Sequence, residues 1–145
     1  MPEPLPVRPA RPDETATATP GDANVFGLAG GQPFFDRLVD RFYDGVETDP
    51  ELLAIYPDRS DLTDARHRLA LFLGQYWGGP STYSDERGQP RLFMRHRGFP
   101  IDPAARDRWL LHMREAVAFL DPPPSVAARL LAYFEMAAEA MRNLD

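Results

Sequence analysis

Cysteine is absent from the sequence. Its absence excludes disulfides, thiolate zinc sites, iron–sulfur clusters and the C-x-x-C-H attachment of a covalent haem. Basic residues are also in short supply: 16 Lys and Arg stand against 22 Asp and Glu, a net charge of -6. That sign repels phosphate backbones, and no basic stripe interleaved with aromatics offsets it, so nucleic acid is not an expected partner. Long apolar runs are missing as well. Nothing approaches the roughly 18 uninterrupted apolar residues of a membrane span, and the N-terminus lacks a basic region followed by an apolar one. The sequence therefore reads as a cytoplasmic protein with no membrane span.

What is present suits one domain, since 145 residues with 43% hydrophobic and 11% aromatic content can bury a single core. Prolines crowd the start, at Pro2, Pro4, Pro6, Pro9, Pro12 and Pro20, among residues with little apolar surface to bury. Residues 1–22 are expected to form a disordered extension, and 23–145 the folded domain. From Val25 onward the periodicity is helical, with no strand alternation. Phe35, Leu38, Val39, Phe42 and Val46 recur at spacings of three and four, with Tyr43 beside them. Asp49-Pro50 and Asp102-Pro103 each pair a capping carboxylate with a proline suited to the first helical turn. Asp61 is a candidate cap for a helix with the apolar face Leu62, Ala65, Leu69, Phe72, Leu73 and Tyr76, which Gly78, Gly79 and Pro80 stop. The helix after Asp102 is expected to carry Ile101, Trp109, Leu110, Met113, Val117 and Leu120. Pro122, Pro123 and Pro124 break the chain before a last helix from about Ser125 to Asn143. About seven helical pieces follow from this pattern.

Three histidines allow the question of metal ligation to be put to each. His67 lies opposite Leu69 between Arg66 and Arg68 and should be solvated; His112 falls at the edge of the Trp109 and Met113 face and should be a boundary residue. His96 is different. Leu92, Phe93 and His96 share one face of a short helix that Gly98 can end and Pro100 keeps from resuming. Spacing leaves open whether that imidazole is a packed structural residue or a ligand. No second histidine or cysteine stands at zinc-ligand spacing. Haem requires less: one neutral imidazole serves as proximal ligand, and hydrophobic burial of the macrocycle supplies most of the remaining affinity.

Several runs together resemble the truncated haemoglobins, specifically group II, or O type. They are Arg41-Phe42-Tyr43, Tyr56-Pro57, Phe72-Leu73-Gly74-Gln75-Tyr76-Trp77-Gly78-Gly79-Pro80, Arg91-Leu92-Phe93-Met94-Arg95-His96 and Arg106-Asp107-Arg108-Trp109-Leu110. The resemblance spans about Val25 to Asn143. It implies an all-α, two-over-two helical sandwich, the truncated globin fold, with paired glycines at Gly30-Gly31 and Gly78-Gly79 in short connections. It implies haem b held by His96 as proximal iron ligand, with Tyr43, Tyr56 and Trp109 as distal hydrogen-bonding residues. Ala65 stands where ordinary globins carry a distal histidine, and Leu69 and Phe72 line the apolar remainder. The chain departs from the family at Gln89-Pro90, where histidine commonly precedes the proline, at Phe93, where arginine is common, and at His96-Arg97-Gly98-Phe99. The propionate contacts are affected by these departures, and Arg68, Tyr83 and Arg95 are the candidates for them.

The resemblance further implies oxygen binding or transport, with CO and NO as other ligands at a five-coordinate iron. Buried distal donors would slow oxygen release, each hydrogen bond to a charged group contributing about 1.5–3 kcal/mol. Nitric-oxide dioxygenation and peroxide activation are further activities that it leaves open. Any such turnover would draw on an external reductase, because no flavin or nicotinamide module is recognisable. The oligomeric state, monomer or homodimer, is not set by the sequence. Periodicity alone equally fits a haem-free helical interaction module in which Tyr43, Tyr56, Trp77 and Trp109 are only core. Gly78 and Gly79 are expected to adopt positive φ at a helix stop, and Trp77 to pack at that helix end.

Overall fold

The computed structural model describes residues 25–56, 61–88 and 100–142. The proline-rich start, Pro57, and the segment holding Arg95 and His96 lie outside the described residues. Among the described residues there are seven helices and no strand: α1 (Val25–Ala29), α2 (Gln32–Glu47), α3 (Pro50–Leu53), α4 (Thr63–Tyr76), α5 (Thr82–Arg87), α6 (Pro103–Leu120) and α7 (Pro124–Met141). Helix α2 packs on α4, α6 packs on α7, and the two pairs meet where α2 lies on α6. This is the two-over-two sandwich.

Helix α2 is the hub because its apolar stripe is wide and continuous. Phe34, Phe35, Leu38, Val39, Phe42, Tyr43 and Val46 are all buried, covering both the side that meets α4 and the side that meets α6. Full burial of each large side chain contributes roughly 1.5–3 kcal/mol. The helix starts with proline in its first turn, after Gly30 and Gly31 with φ of 117° and 77°, a conformation glycine adopts without Cβ strain. It ends at Thr48, and Asp49 at once opens α3 by accepting from Leu52 N at 3.2 Å. Asp102 opens α6 in the same manner, accepting from Ala105 N at 2.8 Å.

Five details differ from the sequence expectation. Helix α4 begins at Thr63 with Leu62 in the cap position, and the Asp61 carboxylate bonds Thr63 N at 3.0 Å from one residue further out. Ile101 precedes α6 instead of lying within it, and α7 starts at Pro124 and ends at Met141. Helix α5 is unforeseen. Gly78 has positive φ, 112°, but Gly79 is required for another reason: a Cβ there would collide with the Phe26 ring and with the carbonyl oxygen of Gly74. The close approach is locked by Phe26 N donating to the Trp77 carbonyl at 3.0 Å, which ties α1 to the end of α4. Trp77 packs there as expected, 1% exposed, edge-on to Tyr76 and Tyr133.

Candidate functional site

Three elements far apart in sequence deliver Tyr43, Tyr56 and Trp109 to one place. Tyr43 projects from the fourth turn of α2, Tyr56 follows α3, and Trp109 sits in the second turn of α6. The Tyr43 and Tyr56 rings meet edge to face at 5.7 Å, and Trp109 is wedged between Phe42 at 5.3 Å and Phe134 at 5.8 Å. Tyr56 and Trp109 line the same cleft, and the Tyr56 hydroxyl lies close enough to Tyr43 and to Trp109 for each to bear on its acidity. An indole N–H can only donate, so Trp109 can serve this cluster only as a donor.

Burial sets the acidity of both phenols. Tyr43 is pushed up to about 12, chiefly by burial, against the opposing effects of Tyr56, Arg68 and Arg66. Tyr56 is half-buried; burial first, then the neighbouring Tyr43, raise it well above the ordinary tyrosine value. Both stay protonated at neutral pH, and Tyr43 holds its proton less tightly. The guanidinium of Arg66 lies over the Tyr43 ring at 5.7 Å, gripped by Asp40, Asp44 and Glu47 of α2.

Beside Tyr56 and Trp109 a small cleft opens between α3, the start of α6 and the end of α7. Leu52, Ile55, Ile101, Ala105 and Met141 form its apolar wall, and Arg106 is its charged member. These wall residues carried no functional signal in the sequence, because they are ordinary core types drawn from three segments. Ala65 and Leu69 are half-buried on α4, the helix that packs against the one bearing Tyr43. Phe72 is buried, its ring against Tyr76 and Tyr83, and Tyr83 is 5% exposed. Arg68 is half-buried and close enough to Tyr43 to act on it electrostatically. His67 is exposed and faces Glu86 at 3.2 Å; His112 is at the boundary, bonded to Asp49 at 2.9 Å. His96 and Arg95 are outside the described residues.

The donor set fits a haem. A cluster of neutral N–H and O–H donors beside the apolar wall of Leu52, Ile55 and Ile101 suits a hydrophobic macrocycle whose iron takes an uncharged diatomic ligand. Among the described residues no group of three His, Cys, Asp or Glu is placed to hold a metal ion alone, whereas a porphyrin brings its own four nitrogens.

A helical sandwich with this distal cluster defines a globin. The family model for bacterial-like globins matches residues 24–143, and the chain belongs to that family as a group II truncated haemoglobin. It is 37% identical over 113 residues to the Group 2 truncated hemoglobin YjbI of Bacillus subtilis (strain 168), covering 78% of this chain and 84% of that one. The crystal structure of a thermostable hemoglobin from the actinobacterium Thermobifida fusca superposes with a TM-score of 0.80 at 50% identity, covering 82% of this chain and 96% of that chain. The hemoglobin of the thermophilic phototroph Chloroflexus aurantiacus gives 0.79 at 45% identity, covering 82% and 97%. Family membership brings haem-based binding of small ligands. Among the described residues no helix is long and apolar enough to cross a membrane.

Proposed function

We propose that the chain binds haem b through His96 and retains oxygen by hydrogen bonds from the Tyr43, Tyr56 and Trp109 cluster. When bound, haem supplies an iron centre that takes up O2, CO or NO reversibly. The observation that carries the reading is the convergence of the three donors: the Tyr43 and Tyr56 rings meet at 5.7 Å, and Tyr56 and Trp109 line one cleft.

The cluster offers three protons that can be donated, two phenolic and one indole. Of the two phenols Tyr43 is the more acidic, so its O–H is the better donor to a ligand. Arg66 above the Tyr43 ring and Phe42 and Phe134 around Trp109 keep these groups in place and exclude water. Nothing in this arrangement requires a charged side chain at the ligand, which suits a neutral diatomic.

Retention of this kind favours reaction over delivery. We assign nitric-oxide dioxygenation, with re-reduction by an external reductase, as the activity that best uses a slowly released oxygen. Replacement of Trp109 by Phe is expected to accelerate oxygen dissociation by at least about tenfold, the loss of one hydrogen bond in a charge-stabilising cluster. Stopped-flow displacement of oxygen by carbon monoxide reads this directly, and an unchanged rate removes Trp109 from the mechanism.

A further inference from the structure

Asp49 is the most deeply buried charged side chain among the described residues, 6% exposed, and it serves two elements at once. Its carboxylate caps α3 through Leu52 N at 3.2 Å. The same carboxylate takes Arg108 Nη1 on both oxygens, at 3.0 and 3.1 Å, and His112 Nε2 at 2.9 Å. Arg108 also reaches Glu51 at 2.7 Å, so two consecutive carboxylates of the α3 region hold one guanidinium of α6. Arg108 and His112 are the residues immediately before Trp109 and one turn after it.

The other end of this clamp is Tyr56. Ile55 N bonds to the Leu52 carbonyl at 3.1 Å and Tyr56 N to that of Leu53 at 3.0 Å, so Tyr56 continues the turn that Asp49 begins. His112 can lie flat on α2 only because residue 45 is glycine; a Cβ there would strike its Nδ1. That Nδ1 is buried without a hydrogen-bond partner, and its nearest charged neighbour is Glu115 at 4.0 Å. A buried carboxylate with three donors converging from two elements fixes relative position more firmly than apolar packing, because removing it strands the donors.

We infer that Asp49 is the positioning residue of the distal cluster, holding Tyr56 beside Trp109 on the cleft by clamping α3 to α6 through Arg108 and His112. It touches no ligand and acts only through the placement of Tyr56 against Trp109. The inference rests on the proposed role of those two residues in oxygen retention.

The test uses the full chain loaded with haem. Asp49→Asn keeps an oxygen for the α3 cap but turns an amide toward Arg108 and His112. Two readouts are taken: the oxygen dissociation rate, and the indole N–H resonance of Trp109 in a 15N-labelled carbonmonoxy sample, assigned by its loss in Trp109→Phe. Asp49→Asn is expected to raise the rate by about three- to tenfold and to shift the indole resonance, the rate effect vanishing in a Tyr56→Phe background. An unchanged rate with an unchanged resonance overturns the inference. So does an equal acceleration with and without the Tyr56 hydroxyl, which a merely structural role would give. If Asp49→Asn does not fold, Arg108→Gln, at a partly exposed side chain, decides by the same readouts and directions. If Tyr56→Phe and Trp109→Phe leave oxygen release unchanged, the retention reading has failed, and the indole resonance alone still decides whether Asp49 positions Trp109 against Tyr56.

Discussion

Replacing Tyr43 by Phe is expected to accelerate oxygen release by about 10- to 150-fold, the value of one hydrogen bond to a charged acceptor. The direction follows from acidity: Tyr56 is the weaker phenolic acid, and Tyr43 is the better donor to a ligand. Phenylalanine keeps the ring contacts with Phe42 and Tyr56, so the change is confined to the hydroxyl. Because Tyr43, Tyr56 and Trp109 act as one cluster, combining Tyr43→Phe with Trp109→Phe should give less than the product of the two single effects. Full multiplicativity in the stopped-flow rates would mean independent donors. An unchanged rate in Tyr43→Phe would remove its hydroxyl from the mechanism.

The second large effect is on stability. Trp77→Ala is expected to cost about 3–5 kcal/mol in denaturant unfolding of the haem-loaded chain, the range for truncating a large aromatic in a close-packed interior. Trp77 fills the junction of α4 with α1 and α7, against Tyr76 and Tyr133, and its carbonyl anchors Phe26. Its indole N–H has no hydrogen-bond partner among the described residues. Trp77→Phe should therefore be markedly milder, since it removes a buried donor that is unsatisfied as well as some apolar area. Equal losses for Ala and Phe would show that the indole is satisfied in solution and the ring volume secondary.

The parts of this fold that are local in sequence are legible there. The wide stripe of α2, the two Asp-Pro starts at Asp49 and Asp102, and the proline break before α7 all depend on neighbours within one or two turns, and the structure has each of them. The cap of α4 is displaced by one residue because Asp61 bonds Thr63 N from beyond the cap position, the scale on which helix ends are ill-defined. Among the residues of helix α5 whose burial is described, Tyr83 alone is buried, and so there is no apolar period to detect. Gly79 illustrates a second limit: its need for hydrogen in place of a side chain comes from Phe26, more than fifty residues away, and not from its own backbone angle.

The candidate site divides in the same manner. Periodicity assigns Tyr43 and Trp109 to helix faces but cannot bring them together; the resemblance to a family named them as partners, and the structure sets the Tyr43 ring against Tyr56 and lines one cleft with Tyr56 and Trp109. Asp49 was readable as a helix cap. Its second task is invisible from sequence, since Arg108 and His112 lie 59 and 63 residues away and reach it only once α3 docks on α6. The cleft wall is hidden for a related reason, being assembled from Leu52, Ile101 and Met141, which individually look like any core residue.

The central claim is that this chain holds haem through His96 and binds its ligand under the aromatic cluster. It is tested most directly by absorption spectra of the protein expressed with haem supply, ferric, then dithionite-reduced and exposed to carbon monoxide, for wild type and His96→Gly. The account predicts a Soret band that forms a carbonmonoxy species in wild type and is lost or altered in the variant. A folded wild type with no Soret band, or a variant with wild-type spectra in every state, would contradict it.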